Sequence, residues 1–301
     1  MKIFKHTPAR NLCAYAKKGF TLIEIMVATV IMVVLVGLVI QITSEVLNVW
    51  NRSSGKLAAN AEARIAMDLL TQDLETAVYR NNGMQWLRAE NEGVIGPSGN
   101  LEDATVALRL FSPALDRPDG PGDICAIAYK LDYRNPITGA QGGGDPDDRL
   151  FILYRLVVSP QQTFNDLMGA ENDQVLLPGK GSPTWGQNIV GTEGGNYLVS
   201  NIVKFNVDFY VQDDGDSGTP TLVPGDTIFG GTDATVGSGA TSEPAYFQKP
   251  LAYAEITLTV ISDEGASLLQ NIGRINENVD SVIQQYGEVF TRRVNFLARP
   301  L

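Results

Sequence analysis

One carboxylate stands where a charge is costly. Glu24 interrupts the run Phe20–Ile40, FTLIEIMVATVIMVVLVGLVI, which holds no other charged residue and no proline. A carboxylate one turn inside an apolar span costs about 2.5–3.5 kcal/mol on insertion scales, so it calls for a partner or a path to the headgroups. Directly before the run stand two cations and a small residue, Lys17-Lys18-Gly19. Elsewhere the groups that do chemistry are sparse. The single histidine is His6, so residues 7–301 offer no imidazole for Ser-His-Asp or Cys-His catalysis or for a metal. Of the two cysteines, Cys13 and Cys125, the second lies in the apolar run Ile124–Tyr129 and reads as a small buried hydrophobe. Two carboxylate clusters remain: Asp145, Asp147 and Asp148, and Asp213, Asp214 and Asp216. Oxygen-rich loops can hold Ca²⁺, but neither cluster has the spaced ligands and distal glutamate of an EF-hand. They read as solvated turns, and no cofactor is required. Gly142-Gly143-Gly144 lacks the Lys-Ser/Thr that follows in a phosphate loop, so it reads as a turn. No constellation points to an enzyme.

The elements that position Glu24 are plainer. A helix over residues 20–42 is long enough to cross the roughly 30 Å hydrocarbon core. Residues 1–19 hold five of the 23 basic residues and none of the 34 acids, leaving 18 cations against 34 acids in the remainder. The cationic flank precedes the apolar run and no lysine or arginine follows until Arg52. By the positive-inside tendency the N-terminus stays cytoplasmic and the body is exported. A secretory signal peptide would place its small-residue cleavage site after the apolar core, whereas Gly19 comes before it. The acidic body is also a poor partner for nucleic acid.

The helix is expected to run on to about residue 80. Past Ser53-Ser54-Gly55, residues Ile65, Leu69, Leu70, Leu74, Ala77 and Val78 recur at three- and four-residue steps. That pattern puts Asp68, Gln72, Asp73 and Glu75 on the other face. Beyond Asn81 the texture changes to short β-like runs between Gly/Pro/Asp loops. Strands are expected at Thr105–Phe111, Ile124–Asp132, Arg149–Val158, Tyr197–Val211, Leu251–Ile261 and Glu288–Ala298, with helices near Ala266–Gln270 and Asn276–Tyr286. Val203, Phe205, Val207, Phe209 and Val211 alternate with Lys204, Asn206 and Asp208, the mark of a half-buried antiparallel strand. Trp86 and Trp185 lie near loops, as core caps or surface anchors. The expected fold is α+β: a long N-terminal helix packed on antiparallel sheets.

Lys17-Lys18-Gly19-Phe20-Thr21-Leu22-Ile23-Glu24 resembles the processing motif of type IV prepilins and type II secretion pseudopilins. The resemblance implies cleavage between Gly19 and Phe20 by an inner-membrane prepilin peptidase and N-methylation of Phe20. It also implies pairing of Glu24 with the terminal amine of a neighbouring subunit. The domains it implies are a cleaved basic leader (1–19), a long helix (20–80) with its transmembrane part at 20–42, and a periplasmic β-rich head (81–301). The protein would sit in the inner membrane and then in a filament. Its partners would be other pilin or pseudopilin subunits, the peptidase, an inner-membrane assembly platform and membrane lipid. Pseudopilins include calcium binders, which keeps the two aspartate clusters as weak metal candidates. The order of later elements and the 301-residue length look similar to a large minor pseudopilin of the J type or a minor pilin. The rival expectation is a membrane-anchored adhesin or hydrolase that uses the prepilin export route.

Overall fold

In the computed structural model one helix, α1, runs unbroken from Leu22 to Glu75. The structure describes residues 19–79, 85–97, 101–116, 118, 120–140, 149–168, 189–191, 195–212, 219–223, 226–229, 251–272 and 278–296. The chain divides into two units, one ending at Asn51 and the other beginning at Arg52. The first is the apolar part of α1, and its side chains are exposed throughout residues 19–51. It is the one helix among the described residues long and apolar enough to cross a membrane.

The second unit holds two antiparallel sheets and the rest of α1. The larger sheet has the order β5-β4-β3-β2-β1-β8 and the smaller β10-β9-β6-β7. The strands are β1 (Leu87–Ile95), β2 (Leu101–Ser112), β3 (Cys125–Arg134), β4 (Leu150–Val157), β5 (Tyr197–Ser200), β6 (Ile202–Val211), β7 (Thr221–Leu222), β8 (Thr227–Phe229), β9 (Leu251–Ile261) and β10 (Gly287–Asn295). Two further helices, α2 (Asp263–Gln270) and α3 (Val279–Tyr286), lie between β9 and β10. Ser262 caps α2 by accepting from the Gly265 amide at 3.4 Å. Gly265 has no room for a side chain, because a Cβ there would stand 2.5 Å from Ile261 and 2.6 Å from Tyr286. Between β4 and β5 a short helical turn, Pro160–Gln162, passes into a π-helical turn, Thr163–Met168, that the sequence pattern did not reveal.

Strand β6 buries Val203, Phe205, Val207, Phe209 and Val211, as its alternation requires. The expected single strand Tyr197–Val211 is instead two strands in different sheets. Asn201 separates them with a φ of 61°, a left-handed conformation that asparagine tolerates. Its N–H donates to the Phe151 carbonyl of the larger sheet at 2.8 Å. Its own carbonyl accepts from the Ile261 N–H of the smaller sheet, also at 2.8 Å. The chain therefore changes sheets at one residue, and the Asn201 amide is tied to Asp263 at 3.0 Å.

The face of α1 that enters the core keeps Leu70 and Leu74 of the expected stripe, with Ala77 and Val78 packed beside them, but departs from it at Ile65 and Asp73. Ala59, Ala63, Ala66, Met67, Leu70, Asp73 and Leu74 are buried, while Ile65 is 54 % exposed. Small alanines let the helix axis come close to the sheets, and the larger Ile65 is left outside. Asp73, expected on the solvent face, is buried because it has partners. The Tyr129 hydroxyl donates to its Oδ2. Arg155 donates from Nε to Oδ2 at 2.9 Å and from Nη2 to Oδ1 at 3.2 Å. Arg155 also donates from Nη1 to Asp116 at 2.5 Å. Burial, and then the Asp73 charge, push the Tyr129 hydroxyl well above its ordinary value. Two outer contacts fix the helix as well. Glu62 accepts from the Ser200 amide and hydroxyl at 3.2 and 3.0 Å, and Asp68 accepts from Arg292 at 2.6 Å.

On alternate positions of β1 stand Arg88, Glu90 and Glu92, a charge pattern that hid this strand in the sequence. The wholly buried Arg109 of β2 donates to Glu90 and to Glu92, each at 3.0 Å, and Lys130 of β3 donates to Glu92 at 2.6 Å. Burial alone would raise the Glu92 pKa, but Lys130 and Arg109 hold it below the ordinary value. Trp86 is core, packed 4.8 Å from Tyr79 and 5.6 Å from Phe229 between ring centroids; Trp185 lies outside the described residues. Cys125 is buried at the start of β3, as a small hydrophobe would be.

Two outcomes are expected from these contacts. Replacing Asp73 by alanine leaves the Arg155 guanidinium buried with only the exposed Asp116 as counter-ion, so it should cost about 3 kcal/mol or more in urea unfolding. Tyr154 is buried with a hydroxyl that has no hydrogen-bond partner among the described residues, and burial pushes its pKa up to about 12. Above pH ~10 the unfolded chain releases this proton while the folded chain keeps it, so stability falls as pH rises from about 10 to 12. Tyr154→Phe should therefore unfold no earlier than wild type at neutral pH, and its stability should decline less steeply across that alkaline window.

Candidate functional site: the N-terminal end of the apolar helix

The first turn of α1 is built by two side chains, Thr21 and Glu24. Thr21 precedes the helix, and its carbonyl accepts the first helical bond, from Ile25 at 3.3 Å. Its hydroxyl accepts from the Glu24 amide at 3.4 Å. In return Glu24 Oε2 accepts from the Thr21 amide at 2.8 Å and from the Thr21 hydroxyl at 2.9 Å. This is a reciprocal capping box, in which each side chain satisfies a backbone donor that the helix leaves open. A negative carboxylate at this end also suits the helix dipole.

Thr21 was not singled out in the sequence, although the signal was there: Thr-x-x-Glu directly before an apolar run is the capping-box spacing. The box accounts for Oε2 of Glu24, and Oε1 has no hydrogen bond of its own among the described residues. Phe20 is 84 % exposed beside it, and Gly19 is exposed with nothing within 4 Å of where a Cβ would stand. Gly19, Phe20 and Glu24 are thus brought to one exposed helix end, at the head of an apolar surface that no other described residue of its unit covers. The aspartates at 145, 147, 148, 213, 214 and 216 lie outside the described residues. Among the described residues no three acids, cysteines or histidines gather in a way that could hold a metal.

A lone apolar helix with a capped, charged N-terminus, followed by an α+β body of antiparallel sheets, defines a class of membrane-anchored proteins. The family model described as the prokaryotic N-terminal methylation motif matches residues 15–40. That match supports a type IV prepilin-like precursor, a pilin or pseudopilin type that is handled by a prepilin peptidase and assembles with other subunits. No curated protein and no solved structure gives a significant match to the chain.

The box makes a measurable demand. Thr21→Val keeps the side-chain shape but removes the hydroxyl that the Glu24 amide needs. Loss of an N-cap costs about 1 kcal/mol, so hydrogen exchange at that amide in detergent micelles should quicken about fivefold. Exchange at wild-type rate would mean that the backbone alone holds the turn.

Proposed function

We propose that this chain is a large minor pilin or pseudopilin, a structural subunit of a type IV pilus-like or type II secretion filament. It is cut between Gly19 and Phe20, methylated at the new Phe20 amine and assembled through α1. The observation that carries this reading is the motif match over residues 15–40, with Glu24 at the accessible end of a wholly exposed apolar helix.

The mechanism is assembly rather than bond chemistry. Removing the five cations of residues 1–19 frees an ammonium next to a carboxylate. In low dielectric the two attract strongly, and pairing removes the cost of leaving either alone. Lipid tails are about as apolar as leucine, so moving the helix from bilayer to bundle gains little hydrophobic energy. Packing and the Glu24 pair must then set the register between subunits. The head would face the periplasm, the partners would include an inner-membrane assembly platform, and a body of this size suits the filament tip, where neighbours crowd least.

Two measurements test the proposal. Intact mass of the membrane fraction should show a chain beginning at Phe20 with an added methyl; retention of residues 1–19 would overturn the assignment. Glu24→Leu should still be processed and membrane-bound but should fail to crosslink to neighbouring subunits, because an ammonium buried without its partner costs about 3–5 kcal/mol. Wild-type crosslinking by that variant would sink the pairing.

A further inference from the structure

The apolar surface of α1 does not end where a hydrocarbon core ends. A 30 Å core is spanned by about 20 helical residues, which counted from Phe20 reaches only about Ile40. Yet Val46, Leu47, Val49 and Trp50 follow on the same helix, exposed by 60, 50, 69 and 67 %. Four large apolar side chains within one and a half turns are a poor surface for water, since removing each from water is favourable. Thr43, Ser44 and Glu45 stand just before them and Asn48 among them, a mixture equally unsuited to the bilayer centre.

We infer that residues 43–50 lie in the far headgroup layer of the bilayer, with Trp50 as the anchor that sets the depth of the helix. This rests on the reading of α1 as a membrane span and extends it. From Phe20 to Trp50 the helix rises about 45 Å, which matches a bilayer measured through both headgroup regions at about 40–45 Å. Tryptophan is enriched at those levels, and Trp50 falls at the far one. Glu45 then falls about 37 Å from Phe20, among headgroups rather than hydrocarbon, where a carboxylate escapes the cost of the bilayer centre. Thr29 and Thr43 each return their hydroxyl to their own helix, to Met26 at 2.9 Å and to Val39 at 2.7 Å. That is how a hydroxyl is satisfied where water is scarce. The first cation beyond Gly19 is Arg52, two residues past Trp50, and its guanidinium lies 3.8 Å from the Glu264 carboxylate of the body. The partner this surface fits is therefore the lipid headgroup layer.

The test uses the full chain in phosphatidylcholine vesicles at high lipid-to-protein ratio, with nitroxide quenchers placed on the headgroup or near the acyl-chain ends. Subtracting the emission of Trp50→Phe isolates Trp50 from Trp86 and Trp185. Trp50 is exposed, so the substitution leaves the core intact. The chain should float with the vesicles, and the Trp50 signal should be blue-shifted and quenched about twofold or more by the headgroup nitroxide, with little effect of the deep one. A chain that floats but whose Trp50 signal is unquenched, or is quenched mainly from the bilayer centre, overturns the inference alone. A Trp50 signal that changes with protein-to-lipid ratio shows a neighbouring helix in place of lipid and overturns it too. A chain that does not float overturns the membrane reading beneath it.

Discussion

The body of this protein depends on a carboxylate placed where carboxylates seldom go. Asp73 is 1 % exposed near the end of α1, and it receives a bidentate Arg155 and the Tyr129 hydroxyl. A buried ion pair of this kind adds little net stability over a well-packed apolar substitute, because both charges must first leave water. What it supplies is position. Arg155 on β4 and Tyr129 on β3 are cross-strand partners in the larger sheet, so the two groups that meet Asp73 are fixed by strand register. Met67, Leu70 and Leu74 seat the helix in the core, and any slide or turn would also take from the Arg155 guanidinium its buried counter-ion. Glu62 on Ser200 and Asp68 on Arg292 then fix its flanks to β5 and β10.

Within α1 two kinds of sequence serve two surroundings. Up to Ile40 the helix carries Val, Ile, Leu and Met all round, the composition of a helix that meets apolar surroundings on every side. From Ala59 onward it carries a narrow stripe of alanines with Met67, Leu70 and Leu74, and leaves charges on its outer side. A stripe of that width suits packing on one side only. Gly55 falls between the two regimes, with the Asp263 side chain 3.6 Å from where its Cβ would be. The helix continues through it, because a single glycine costs only about 1 kcal/mol in a helix interior.

Much of this was legible in the sequence, and the misses have physical causes. Strands with apolar alternation, such as β6 and β9, were found because burial on one face writes period two into the chain. β1 was missed because its alternate positions are Arg88, Glu90 and Glu92: Arg88 pairs with Glu90, and the two glutamates accept from Arg109 and Lys130 of two other strands. No local pattern shows that pairing. The change of sheets at Asn201 was hidden for a similar reason: the residues on both sides are strand formers, and only the hydrogen-bond partners differ. The helix face was misjudged because Asp73 was scored as a solvated acid and Ile65 as core. At the N-terminus the sequence was more informative. The Gly19–Phe20 junction and Glu24 were picked out by their setting, whereas Thr21 was overlooked although Thr-x-x-Glu spells its role.

The geometry of that helix end bears on whether one carboxylate could serve both its own helix and, as proposed, a neighbour. A carboxylate has two oxygens and about four acceptor positions. The capping box draws on Oε2 alone, through the amide and hydroxyl of Thr21. Those two bonds hold the χ angles of Glu24, so the side chain is already ordered before any partner arrives. Ordering a long side chain at the moment of contact would otherwise cost about 0.5–1.5 kcal/mol. Oε1 takes no part in the box, so an ammonium bound there would not break the cap. On the pairing proposed for Glu24, capping and subunit contact would be compatible demands. An aspartate, one methylene shorter, would meet the capping demand poorly, so the residue type as well as its charge follows from the box.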